Sequence, residues 1–135
     1  MWRIVTIQSS LQLQLIWLAL AVSYNVSSVY LLQNGFAPLK KGDPEMTLYF
    51  LAMYGLLIGL GFAKQYCLYS VFGAALTAVL LIAGVGSHIY TAMTTGIADT
   101  FSSGWAWMIA ILINCFGVSA FLLGLFIVRT KQKEQ

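Results

Sequence analysis

The feature that most limits this chain is where its charges are missing. Its charged side chains are Arg3, Lys40, Lys41, Asp43, Glu45, Lys64, Asp99, Arg129, Lys131, Lys133 and Glu134, and residues 4–39, 46–63, 65–98 and 100–128 carry none. A charge at the centre of a bilayer costs at least about 2.5–3.5 kcal/mol on insertion scales, so a spanning helix needs such a run. Each interval holds the roughly 20 apolar residues that cross a hydrocarbon core, the second only just. Of 135 residues, 60% are hydrophobic and 8% charged, whereas a soluble domain carries about a quarter charged. The expected fold is all-α: one membrane domain, residues 1–135, built as a four-transmembrane-helix bundle.

Turn and cap signals place the helices at about 11–32, 47–63, 68–92 and 105–128, with loops 33–46 and 94–104 at one end. Asp43-Pro44-Glu45 reads as a helix start, because proline and acids suit a first turn. The link around Lys64-Gln65-Tyr66 is so short that helices 2 and 3 should form an antiparallel hairpin. MWRIVTIQSS, residues 1–10, is expected to lie along the interface with Trp2, Ile4 and Ile7 in lipid. Arg3, a short apolar run and Ala19-Leu20-Ala21 mimic a secretory signal, but the uncharged interval continues past Ala21, which favours an uncleaved first helix.

Basic residues set the expected orientation. Arg3, Lys64, Arg129, Lys131 and Lys133 fall on one side, against Lys40 and Lys41 on the other. Both termini are therefore expected to be cytoplasmic, with Tyr30, Tyr49, Trp105 and Trp107 near the outer interface. The same topology accounts for the net charge of +3, which does not suggest nucleic acid. The sequon Asn25-Val26-Ser27 would lie within the bilayer, away from glycosylation. Cys67 and Cys115 differ in depth by about 15 Å at 1.5 Å per residue. A disulfide needs Cα atoms within about 7 Å, so both are expected to be small apolar fillers.

Lipid is as apolar as leucine, so helices associate through close packing and hydrogen bonds, and small residues at helical spacing mark the contact faces. Helix 2 carries Ala52, Gly55, Gly59 and Ala63; helix 3 carries Ser70, Gly73, Thr77, Gly84, His88 and Thr91. Helix 4 aligns Ala106, Ala110, Asn114, Gly117 and Gly124, and helix 1 offers Ala19, Ser23, Ser27 and Tyr30. The expected packing glycines are Gly55, Gly59, Gly73, Gly84, Gly117 and Gly124. The architecture and the phrase MYGLLIGLGF, residues 53–62, resemble small bacterial four-helix families of the DoxX type. That resemblance lies in hydrophobic pattern more than in residues, and no functional position is carried over from it.

His88 is the sole histidine. On helix 3 it lies about 6 Å below the outer end, with Asn25 and Tyr54 each about 10 Å deep, at 1.5 Å per residue. Tyr24, Asn25, Tyr54 and His88 are thus within reach of mutual hydrogen bonds. His88, Asn25, Tyr54 and Asn114 are the candidate polar interhelical or ligand contacts. A proton relay needs further ionisable groups, and the intervals hold no Asp, Glu, Lys or Arg. Met46, Met53, Met93 and His88 offer copper(I) donors without MxxM or HxxxH spacing. A single histidine cannot supply both axial ligands of a b-type haem. Nucleophile, base and orienting acid form no motif. The expectation is a non-enzymatic protein with no metal or cofactor. It would act as an accessory subunit packing on or helping assemble a larger membrane complex, in the bilayer of a bacterial inner membrane. The alternative is a small homo-oligomeric transporter or channel for an uncharged or apolar solute.

Overall fold

The computed structural model describes residues 6–133. Among these, four helices are long and apolar enough to cross a membrane. α1 spans Ile7–Gln33, α2 Pro44–Phe62, α3 Tyr66–Thr94 and α4 Gly104–Lys133. α3 is continuous but changes winding, with a π-helical segment at Leu80–Gly86 between α-helical Tyr66–Val79 and Ser87–Thr94.

Local chemistry explains where the helices begin and end. Thr6 caps α1, its Oγ1 accepting from the Ser9 N–H at 3.2 Å. Ile7–Ser10 is therefore the first turn of α1 rather than the expected interfacial arm; Trp2, Arg3, Ile4 and Glu134 lie outside the described residues. Asp43 caps α2 through Oδ1, which accepts from the Glu45 and Met46 N–H groups at 2.9 and 3.3 Å. That cap starts α2 three residues earlier than expected. α4 runs on to Lys133 because RTKQK holds no glycine or proline to stop it.

The ends of α1 and α2 share one geometry with different residues. Phe36 N–H bonds the Leu31 carbonyl and Gly35 N–H that of Leu32, with Gly35 at φ +79°. After α2, Gln65 N–H bonds Leu60 and Lys64 N–H bonds Gly61, with Lys64 at φ +59°. Both are Schellman closures, which demand a left-handed residue. Gly35 adopts it freely, whereas Lys64 holds it at a cost.

In cross-section α1 lies between α2 and α4, and α3 closes the ring on the far side. Trp17 meets Tyr54 and Phe121 edge to face at the centre and those two rings are tilted to each other, with centroids 5.0–5.5 Å apart. Gly117 lets α4 approach that cluster, since a Cβ there would meet the Trp17 indole. Gly124 does the same for a buried polar node toward the chain-terminal end. There Ser10 Oγ donates to the Ala120 carbonyl at 3.1 Å, and Gln14 Nε2 donates to Tyr69 Oη at 2.6 Å and Ala120 O at 3.2 Å. In a bilayer, where the hydrophobic effect does not act between helices, such bonds would hold them together.

At the other end the two loops pair. Lys40 and Phe101 form an antiparallel bridge, with Lys41 N–H on Thr100 O at 2.7 Å and Ser102 N–H on Leu39 O at 3.2 Å. Ser28 Oγ of α1 accepts from the Lys40 N–H at 3.2 Å, which ties the pair to the bundle. Phe101, 1% exposed, is thereby tucked beneath the loops.

Candidate functional site

Beneath this cap the bundle is not filled. A cavity of about 360 Å³ runs from Lys40 and Asp43 down to Trp17 and Tyr54, with walls from all four helices. It lies near the lower end of the range usual for small-molecule sites. α1 presents Trp17, Ala21, Tyr24 and Asn25, at the three- and four-residue steps that keep side chains on one face. Opposite, α4 contributes Ala110, Ile113 and Asn114.

One wall is incomplete. α2 packs on Tyr66–Val79 of α3 and parts from it beyond. The last stitch is Tyr54 Oη, which donates to the Leu76 carbonyl at 2.6 Å. Above it, Phe50 and Met46 of α2 face Val79 and Ala83 of α3 across an opening, and all four are exposed. The cavity therefore opens sideways, between apolar lips. A hairpin closed tightly at Lys64 and splayed at its far end produces this shape.

The π-helical segment forms the α3 wall. Its wider turn inserts an extra residue, a feature frequent at functional sites. Asn114 Nδ2 donates to the Gly84 carbonyl at 2.7 Å, and Ser87 Oγ to that of Ala83, so side chains serve the carbonyls of the widened turn. Gly84 permits the approach, because a Cβ there would sit 3.0 Å from Leu80 Cδ1 and 3.1 Å from Asn114 Nδ2.

The structure brings His88, Asn25, Tyr54 and Asn114 to the same cavity. It does not join Tyr24, Asn25, Tyr54 and His88 to one another. Tyr24 Oη donates to Ala106 O at 2.9 Å, Asn25 Nδ2 to Ala21 O at 2.8 Å, and Tyr54 Oη to Leu76 O. The expected mutual network gives way because helix carbonyls are the nearer acceptors. His88 is buried, its ring edge-on to Phe101 at 5.0 Å, and its carbonyl accepts from Trp107 Nε1 at 3.2 Å.

The glycines divide by what faces them. Gly73 meets Leu125 of α4 and Gly55 makes ordinary contact with Leu18 of α1. Gly59 has nothing within 4 Å, so no helix of the described chain approaches it, and this part of the small-residue stripe faces outward. Cys67 and Cys115 are exposed on the bundle's outside rather than filling its interior. Met46 lines the cavity, while Met53 and Met93 are exposed, so His88 has no thioether cluster around it. Among the described residues no group of three His, Cys, Asp or Glu is placed to hold a metal.

Sequence reasoning passed over several residues that matter here. Ser10 and Gln14, four apart on α1, form one polar line that needed a partner in an apolar helix. Phe101 and Lys40 read as ordinary loop residues, and only the loop bridge brings them over the cavity. Comparison with protein-family models, curated proteins and solved structures gives no match.

Proposed function

We propose that this is a small, non-enzymatic integral membrane protein that holds one small, mainly apolar molecule between its four helices, as a carrier or binding protein. The cavity beneath the paired loops is the observation that carries this reading. Its walls are apolar side chains interrupted by Asn25, Asn114, Tyr24 and His88 and, at the loops, by Lys40 and Asp43, which suits an apolar body with a polar end. The sideways opening between α2 and α3 fits entry from lipid rather than from water. The basic residues near the termini favour an orientation with both ends cytoplasmic, as in a bacterial inner membrane, and the loop-capped end outside.

Native mass spectrometry of the full chain, purified in a neutral detergent, tests the proposal. A small molecule bound one to one is expected, and Ala83→Trp, which fills the opening, should abolish it. A chain that never carries or takes up such a molecule would refute the carrier reading.

The accessory-subunit reading draws support from the outward face of α2. Ala52, Gly59 and Ala63 are exposed there, and nothing approaches Gly59. Small residues facing away from their own bundle are what a neighbouring helix packs against in lipid. A stoichiometric larger complex that survives Ala83→Trp would favour this role.

A further inference from the structure

We infer that the molecule held in the cavity is an amphipathic anion, a single-chain carboxylic acid in its ionised form, and that Lys40 binds its carboxylate. This rests on the cavity being a ligand site, as proposed above. Lys40 and Lys41 are neighbours with different fates. Lys41 sends its ammonium across the loop pair to the Ala98 carbonyl. Lys40 lines the cavity, and its main chain is fixed by Ser28 Oγ and the bridge to Phe101. Burial holds its ammonium below the usual lysine range.

No carboxylate pairs with Lys40 among the described residues. Asp43, the acid on the same cavity wall, directs Oδ1 at the N–H groups of Glu45 and Met46. A partly desolvated cation with no carboxylate in contact is costly, and a ligand carboxylate would supply that contact. Repulsion from Asp43 would press that carboxylate toward Lys40, with Asn25, Tyr24 and His88 also facing the space. Below the head group, Ala21, Leu51, Leu80 and Ile113 offer the apolar surface a hydrocarbon chain needs. A volume of about 360 Å³ matches one such chain. The gap above Tyr54 lets the chain enter with its head already at the loops.

The test compares a terminally brominated medium-chain carboxylic acid with the matching brominated alcohol, on the full chain in neutral detergent. Quenching of tryptophan fluorescence reports binding, since Trp17 forms the cavity floor. The acid should quench saturably. Lys40→Gln should weaken it by roughly tenfold or more, the worth of a charge-assisted hydrogen bond. Lys40→Arg should retain acid binding, and the alcohol should bind all three proteins alike. Equal binding of acid and alcohol, unchanged in Lys40→Gln, would overturn the anion assignment and leave the cavity reading standing. Loss of the alcohol as well in Lys40→Gln would make Lys40 structural and also overturn it. Failure of both probes to quench wild type saturably would defeat the cavity reading itself.

Discussion

Two alanine substitutions at glycines of the expected stripes should have opposite effects. At Gly117 a Cβ would collide with Nε1, Cδ1 and Cε2 of Trp17, the last two at 2.6 Å. Ordinary contact begins at 3.4 Å, so the indole must retreat by about 1 Å, Nε1 being the nearest atom. Trp17 is fully buried, with Tyr54 at 5.0 Å and Phe121 at 5.3 Å, and yields only toward the cavity. Overpacking of this kind costs about 1–3 kcal/mol. Replacing glycine in a helix returns roughly 0.8–1.0 kcal/mol, so Gly117→Ala should destabilise by up to about 2 kcal/mol and shrink the ligand space. At Gly59 nothing lies within 4 Å, and only the propensity gain remains. Gly59→Ala should therefore be neutral or stabilising by up to about 1 kcal/mol. Reversible unfolding in mixed micelles, followed by helical circular dichroism, measures both. Equal stability of the two variants would refute the assignment of Gly117 to the α1–α4 contact. A loss at Gly59 comparable to that at Gly117 would mean another helix covers α2.

Lys64 occupies a left-handed position that a Cβ disfavours by about 1–2 kcal/mol. Lys64→Gly should stabilise the protein by about 1 kcal/mol in the same unfolding assay, and Lys64→Ala should not. Acid binding should also depend on pH through Lys40. Its folded pKa is lowered from 10.5 by burial, so the cation is present below that lowered value and lost above it. Affinity for the brominated acid should decline on the alkaline side before pH 10.5, and Lys40→Gln should remove that decline. Asp43, His88, Tyr24 and Tyr54 face the same space, so the variant is needed to assign the limb to Lys40. Without ligand the sign reverses: the unfolded chain holds this proton more tightly, and stability should rise with pH between the lowered pKa and 10.5.

How far the sequence could be read depended on how strongly a bilayer would penalise each error. Charges are costly in lipid, so the gaps between them located four helices to within a few residues, and Asp43 announced its own cap. Small residues are a weaker guide, because a glycine in an apolar helix costs the same whether it faces a neighbour or lipid. Gly59 and Gly117 look alike on paper, and only the position of Trp17 separates them. The π-helical turn at Leu80–Gly86 has no hydrophobic period of its own, so the sequence pattern did not announce it. The polar candidates were identifiable as a set but not in their pairing. Tyr24 and Tyr54 each donate to a carbonyl of a neighbouring helix, so these groups stitch helices instead of assembling a relay. With those side chains committed, the charge at the cavity roof falls to Lys40. What distinguishes Lys40 from Lys41 is neither type nor neighbourhood in sequence. The loop bridge turns one lysine to the Ala98 carbonyl and leaves the other over an apolar hollow. The chemistry of the site therefore arises where two loops meet, and local sequence signals stop short of such long-range pairing.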